Sequence, residues 1–118
     1  MESFADQPWF EVGLERSEGQ CVVVFRGELD LNAIDPLWHC IEQVRTSGRP
    51  VILDLSGTTF MDSAGVNLLL RAYASHGRVV EAVTLRCPSD AVRQTLELTG
   101  IDGVFRIDDG ARRHPAEA

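Results

Sequence analysis

Two adjacent residues, Asp62 and Ser63, are the part of the sequence best suited to chemistry. A β-branched, apolar run precedes them and an amphipathic helical pattern follows, so we expect the Ser63 hydroxyl to cap the N-terminus of a helix. A phosphate is tolerated there, because the helix dipole favours anions at that end. Phosphorylation would add about −1.5 to −2 charges at pH 7 beside Asp62 and near Asp30. The pattern therefore predicts a switch that acts by repelling an acidic or closely packed binding partner.

The same region also fits a structural interpretation. A serine cap is worth about 1 kcal/mol of stability without any regulatory role. For Asp30 two roles fit equally well. Its carboxylate could accept hydrogen bonds from backbone amides of its loop, or it could belong to a partner surface. Gly65, in contrast, favours the switch, because it leaves the first turn of the helix bare and lets another backbone approach closely. Asp54 lies in an apolar run, and we expect its charge to be satisfied near a strand end for structural reasons.

Catalytic constellations are not recognisable in the sequence, and we predict that the chain is not an enzyme and holds no metal or cofactor. The three histidines, His39, His76 and His114, fall on helices or in the tail, away from the loops expected around Ser63. No G-x-S-x-G, G-x-G-x-x-G or P-loop motif occurs. The cysteine spacing fits neither a disulfide framework nor a zinc site. Buried or inert thiols are expected at Cys21, Cys40 and Cys87.

Size and charge limit the partners that the chain can bind. It has 118 residues, enough for one domain, and a formal net charge of −7 at pH 7. An acidic protein repels nucleic acid, so we expect a basic protein partner instead. No apolar stretch approaches the ~20 residues of a membrane span. The acidic residues 1–6 lack the basic and apolar regions of a signal peptide, and we expect a cytoplasmic protein.

Hydrophobic periodicity predicts the element order β-β-α-β-α-β-α-β. This order favours an α/β fold with a mixed sheet of four to five strands, mostly parallel, with an antiparallel N-terminal edge strand and helices. Ligand sites in such sheets gather beyond the carboxyl ends of the strands. Three loops are expected to meet there, formed by residues 27–30, 56–63 and 88–90.

The sequence also predicts where the elements and the domain begin and end. Strands are expected at residues 10–14, 21–25, 51–55, 82–87 and 104–107. Helices are expected to start at the caps Asp35 and Ser63 and at the capping segment Pro88-Ser89-Asp90. We expect one domain at residues 9–109, between a flexible arm at residues 1–8 and a flexible tail at residues 110–118.

Four segments resemble the STAS domain of bacterial anti-sigma factor antagonists, also called anti-anti-sigma factors. They are GELD at residues 27–30, VILDL at 51–55, FMDSAG at 60–65 and LTGI at 98–101. The likeness runs over about residues 10–107, and the D-S-x-G element is its most specific part. The fold that the resemblance implies, a mixed sheet with helices, agrees with the periodicity.

The resemblance implies a partner-switching cycle in transcription regulation. The unphosphorylated antagonist binds an anti-sigma factor and so frees the sigma factor. The anti-sigma factor is also a serine kinase, and its phosphorylation of the D-S-x-G serine, here Ser63, separates the complex until a metal-dependent phosphatase resets it. Asp62 matches the acid before that serine, and Asp30 matches an aspartate that faces the partner in the family. The implied partner surface comprises Asp30, Asp62, Ser63, Ala64 and Gly65.

The chain departs from the family pattern at Ala64 and at Asp35-Pro36, which enters the first helix unusually, and two other interpretations stay open. Ala64 replaces a second serine that some members carry, which leaves one hydroxyl at this point. A STAS adaptor subunit of another assembly, such as a transporter, would use the same surface without phosphate control. A nucleotide-binding or catalytic α/β domain is the third interpretation, and the missing phosphate-binding loop disfavours it.

Overall fold

A six-stranded sheet forms the centre of the described part of the chain, residues 1–17 and 19–109 of a computed structural model. The strands follow one another across the sheet in chain order. They are β1 (Glu2–Gln7), β2 (Phe10–Ser17), β3 (Gln20–Leu29), β4 (Val51–Met61), β5 (Val83–Arg86) and β6 (Arg106–Asp108). The first three strands pair antiparallel and the last four pair parallel, which confirms the predicted mixed sheet.

Helices connect the parallel strands and cover the core. They are α1 (Ile34–Thr46), α2 (Ser63–Ser75) and α3 (Asp90–Thr99), with short 3-10 turns at Leu31–Ala33 and Val80–Ala82. α1 packs on the first four strands and contacts α2, while α3 packs on β4. The largest fully buried side chains include Leu14, Phe25, Ile41, Leu53, Leu69 and Leu96. None of the described helices is long and apolar enough to cross a membrane.

Strand β1 lies within residues 1–8, for which the sequence predicts a flexible arm. The structure corrects this expectation, because β1 pairs antiparallel with β2 along its whole length. Phe4 packs against the core. Met1 fills the space beside Gly13, where a Cβ would lie only 2.5 Å from the Met1 sulfur. This edge strand accounts for the six strands found where four to five were predicted.

The chain ends of the predicted domain are only partly described. The tail predicted at residues 110–118 lies outside the described residues. The domain bounds 9–109 therefore stay a prediction, although β1 joins residues 2–7 to the same sheet.

Strands β3 and β4 are longer than predicted. The expectations that residues 27–29 break β3 and that residues 56–59 form a loop are wrong, because these two segments pair with each other. The parallel register continues to Leu29 and Met61, with Thr58 buried along the way. The turn-like composition of both segments conceals this pairing, since backbone hydrogen bonds need no particular side chain.

The helix starts agree with the sequence at α3 and differ at α1. The Ser89 hydroxyl accepts a hydrogen bond from the Val92 amide at 3.3 Å, so it is the cap of α3 within the predicted segment 88–90. α1 begins at Ile34 with Ala33 as its N-cap, and the prediction that Asp35 is the cap is wrong. The reason is that the 3-10 turn before α1 runs directly into it, so no extended residue separates the two.

Candidate functional site

The paired ends of β3 and β4 bring two acids side by side. Leu29 pairs with Met61 at the last step of the register, and the Asp62 amide nitrogen lies 3.5 Å from the Leu29 carbonyl oxygen. Asp30 and Asp62 are the next residues of their respective segments. Parallel pairing places both at the same end of the sheet, which is the carboxyl end where the sequence predicts a site.

Asp30 and Asp62 adopt the same capping geometry. Both backbones are extended, with φ −124° and ψ −170° at Asp30 and φ −112° and ψ −166° at Asp62. The Asp30 carboxylate accepts a hydrogen bond from the Asn32 amide at 3.0 Å, and the Asp62 carboxylate accepts one from the Ala64 amide at 2.9 Å. Each acid therefore caps the helical segment that follows its strand, and this bond fixes the orientation of its side chain.

Ser63 is not the cap of α2, which corrects the prediction from the sequence. Asp62 holds that position, and Ser63 is the first residue of a helix of 13 residues. Aspartate and serine are both good caps, and the strand pairing up to Met61 decides between them, because it leaves Asp62 as the last extended residue. Ser63 is exposed, and among the described residues its hydroxyl has no hydrogen-bond partner. This hydroxyl is thus open to chemical modification.

Gly65 brings the first turn of α2 down onto the strand ends. It is buried, and a Cβ there would lie 2.5 Å from Met61 Cγ and 3.0 Å from Leu29 Cγ. The space that the sequence suggests for a partner is therefore filled by side chains of this domain. Gly65 acts on the site by setting how closely α2 approaches the sheet.

An apolar depression of about 240 Å³ lies beside the start of α2. Its lining residues are Leu31, Ile34, Ala64, Asn67, Leu68 and Arg71. Leu31, which is 78% exposed, forms one wall from the 3-10 turn, and α2 forms the other. The depression was not predicted from the sequence, and its one signal is a leucine directly after Asp30, at a point where the chain turns.

Arg71 and Trp38 connect α2 and α1 at the rim of this depression. The guanidinium carbon of Arg71 lies 3.9 Å from the centroid of the Trp38 ring. Such a cation–π contact is worth about 0.5–1 kcal/mol at an exposed site. Trp38 is half-buried and packs against the core, as expected for its helix face. The pair therefore joins α2 to α1 beside the depression.

The two histidines that the structure describes, His39 and His76, lie away from the Ser63 hydroxyl. His76 follows the C-terminal end of α2, about 20 Å from Ser63 along a helix of 13 residues. The ring of His39 lies 6.1 Å from that of Phe4 on β1. His114 lies outside the described residues. Within the part of the chain that the structure describes, no group of three or more metal-ligating side chains occurs.

Asp54 and the cysteines have structural surroundings. Asp54 accepts hydrogen bonds from the amide and the hydroxyl of Ser56, at 3.0 and 2.7 Å, within β4 instead of at its end. Cys21 and Cys40 are buried. Burial raises the pKa of the Cys40 thiol to about 12, so the thiol stays neutral and unreactive at physiological pH. Cys87 is half-buried.

Comparisons with known proteins agree on one family. The family model described as "Mlab, STAS domain" matches residues 12–107. The Anti-sigma-B factor antagonist of Staphylococcus aureus (strain NCTC 8325 / PS 47) is 24% identical over 85 residues, which cover 71% of this chain and 79% of that protein.

Solved structures share the fold at low sequence identity. An anti-sigma factor antagonist from Mycobacterium paratuberculosis matches with a TM-score of 0.77 and 24% identity, over 96% of this chain and 97% of that chain. The anti-sigma factor antagonist SpoIIAA in its unphosphorylated form matches with a TM-score of 0.68 and 24% identity, over 89% and 94%. SpoIIAA of Bacillus in its phosphorylated form matches with a TM-score of 0.63 and 23% identity, over 91% and 99%. These likenesses confirm the predicted α/β architecture.

Proposed function

The chain belongs to the STAS domain family, as the resemblance predicted, and on that premise we propose that it is an anti-sigma factor antagonist. Its unphosphorylated form binds an anti-sigma factor and so frees a sigma factor for transcription. The partner is also a serine kinase, its phosphorylation of Ser63 ends the binding, and a phosphatase restores it. The observation that carries the proposal is the exposed Ser63 hydroxyl beside the two oriented acids, Asp30 and Asp62.

The proposed partner surface combines charge with apolar area. Asp30 and Asp62 present carboxylates that have no salt-bridge partner among the described residues. The depression beside them exposes the apolar side chain of Leu31. A partner with basic side chains opposite the acids and an apolar side chain in the depression fits both features.

A phosphate on Ser63 would change this surface and leave the helix folded. It would lie in the first turn of α2, where the helix dipole favours anions. In a closely packed interface its roughly −1.5 to −2 charges would have to lose their hydration. Basic groups of the partner that already pair with Asp30 and Asp62 could not compensate for this loss. The cost of the modification therefore falls on binding and not on folding.

The family model is described as a STAS domain and not as an antagonist, so a second candidate function is open to the chain. A STAS adaptor subunit of another assembly, such as a transporter, would bind its partner through the same surface without phosphate control. Neighbouring genes separate the two functions: a kinase-like anti-sigma factor gene supports the first, and a permease gene supports the second.

Incubation of the purified chain with ATP and the kinase-type anti-sigma factor of the same genome tests the phosphorylation directly. Peptide mass mapping is expected to find one phosphate, on Ser63. If the two proteins bind and Ser63 stays unmodified, the regulatory half of the proposal is wrong and only its binding half stands.

Substitution of Ser63 tests the switch itself. We expect Ser63→Glu to weaken binding to the anti-sigma factor roughly 100-fold, because a charge must then be buried at the contact. Ser63→Ala should bind like the unmodified chain and should not be released by ATP. Calorimetry measures both affinities, and thermal unfolding checks the fold.

The matched control for this substitution is Ser17→Glu, which adds the same charge to an exposed serine at the other end of the sheet. We expect it to leave the affinity unchanged. A Ser63→Glu variant that binds as tightly as Ser17→Glu would refute the switch.

A further inference from the structure

Seven large apolar side chains are exposed in the described part of the chain, and three of them adjoin the ends of β3 and β4. Leu31 belongs to the depression described above. Trp9, 60% exposed, and Phe60, 45% exposed, lie outside it. Single exposed apolar residues are common on protein surfaces, so exposure alone indicates nothing. The way in which these two are held and placed carries more information.

Trp9 lies on a turn that is fixed to β3. Its carbonyl oxygen accepts a hydrogen bond from the Glu28 amide at 3.0 Å. Gly27 has a φ of +103°, and a Cβ there would lie 2.1 Å from the Trp9 carbonyl oxygen. Only glycine allows this approach, because any side chain would meet backbone. The tryptophan is therefore presented on a backbone of defined position.

Trp9, Glu28 and Phe60 form a row across neighbouring strand ends, which we call the aromatic row. Glu28 pairs with Phe60 of β4 in the parallel register. On its other side, the Glu28 amide donates its hydrogen bond to the Trp9 carbonyl oxygen. Strands lie about 4.8 Å apart, so the Trp9 and Phe60 backbones are separated by about 10 Å. Asp30 and Asp62 follow Glu28 and Phe60 by two residues, about 7 Å along the strands. The aromatic row thus borders the Ser63 surface.

The surroundings of the aromatic row are acidic. A depression of about 210 Å³ beside Trp9 is lined by the acids Asp6 and Glu11 and one base, Arg26. Glu28 adds a further carboxylate between the two aromatic residues. Like charges oppose a second copy of this chain, a nucleic acid or an anionic membrane on this surface. A protein with basic side chains around an apolar pocket is complementary to it.

We propose that the aromatic row is a second contact surface for the anti-sigma factor bound at Ser63, and that it selects among anti-sigma factors. The inference rests on the proposed function. The Trp9 indole and the Phe60 ring enter apolar pockets of the partner, and Glu28 pairs with a cation between them. A factor without a pocket for the indole loses these contacts and leaves Glu28 unpaired, which is how such a row discriminates.

Calorimetric affinities of variants for the purified kinase-type anti-sigma factors of the same genome test the inference. We expect Trp9→Ala to weaken binding to the cognate factor at least about tenfold, as is typical of a buried tryptophan anchor. Phe60→Ala should weaken it severalfold. Val79→Ala is the control, because it truncates an exposed apolar side chain before β5, at the other end of the sheet, and should change the affinity less than twofold.

The outcomes distinguish a failure of this inference from a failure of the proposed function on which it rests. If Trp9→Ala binds like Val79→Ala while Ser63→Glu does not bind, the aromatic row is not a contact surface and the proposed function stands. If the unmodified chain binds none of these factors, the proposed function fails and the inference fails with it.

Fluorine NMR of the chain labelled with 5-fluorotryptophan gives a second readout. The chain has two tryptophans, and the signal lost in Trp9→Phe identifies Trp9. We expect this signal to shift when the unlabelled anti-sigma factor is added and to return after ATP is supplied. An unchanged signal in the complex overturns the inference. A shift that follows the concentration of the chain alone also overturns it, since the row would then bind a second copy.

Discussion

At the scale of single residues, Asp62 caps α2 and Ser63 supplies the free hydroxyl. A serine at the cap position would have to do both. The Asp62 carboxylate satisfies the Ala64 amide, so the Ser63 hydroxyl is not needed to hold the helix. A capping serine would have to exchange its hydrogen bond for a bulky dianion on modification. Here the cap and the proposed phosphorylation site are different side chains, so a phosphate on Ser63 would leave the start of α2 in place.

Adding one methyl group at Gly65 tests how tightly the residues beneath the site are packed. Gly65→Ala places a Cβ 2.5 Å from Met61 Cγ, so Met61 or the first turn of α2 must move. Overpacking costs about 1–3 kcal/mol, against up to ~1 kcal/mol gained from the helix propensity of alanine. We expect urea denaturation to show a net loss of about 1 kcal/mol in the free energy of unfolding.

Gly103→Ala is the control for this packing test, because no heavy atom lies within 4 Å of a Cβ at Gly103. Its free energy of unfolding should change by no more than about 0.5 kcal/mol. Equal stabilities of the two variants would contradict the close contact between Gly65 and Met61.

At the scale of elements, the site is built by strand pairing. β3 leads through Asp30 into a 3-10 turn, and β4 leads through Asp62 into α2. Because the two strands are parallel and in register at their ends, both caps lie at one end of the sheet. The two segments that they start are also the two walls of the apolar depression. One pairing event therefore positions the acids, the hydroxyl and the depression together.

Asp62→Asn separates the cap from the charge at the start of α2. Asparagine caps a helix as well as aspartate does, so we expect the free energy of unfolding to stay within about 0.5 kcal/mol, whereas Asp62→Ala loses about 1 kcal/mol. Both variants remove the carboxylate that we propose to face the partner, and we expect both to weaken binding roughly tenfold. Urea denaturation and calorimetry measure the two quantities. Unchanged affinity of Asp62→Asn would leave Asp62 with a capping role alone.

Periodic elements could be predicted from the sequence, whereas paired strand ends could not. The apolar residues of α2 recur at helical spacing, and residues 51–55 form an apolar run, so both were recognised. β1 and the last residues of β3 are mostly polar and are held by backbone pairing with β2 and β4. Such pairing leaves no periodic side-chain signal, which is why residues 1–8 resemble a loose arm.

At the scale of the whole molecule, the meeting of Asp30, Asp62 and Ser63 at one end of the sheet could be predicted, but their surroundings could not. Asp62 and Ser63 are adjacent in the sequence, and Asp30 was expected near them because the loops of residues 27–30 and 56–63 were predicted to meet at the carboxyl ends of the strands. The depression forms between Leu31 and α2, and the aromatic row joins Trp9 to β3 and β4. These residues are far apart in the sequence, and only the order of strands in the sheet brings them to one end.

The net charge of −7 predicts how fast the partner associates. We expect the association rate with a basic anti-sigma factor to fall about tenfold between about 50 and 500 mM salt, since screening shortens electrostatic steering. The dissociation rate should change less, because the contacts once formed are partly apolar. In stopped-flow measurements Glu28→Gln, in the aromatic row, should slow association at low salt more than Glu81→Gln at the other end of the sheet. An association rate that does not depend on salt would contradict the expectation that the partner is basic, because salt always weakens the attraction between exposed opposite charges.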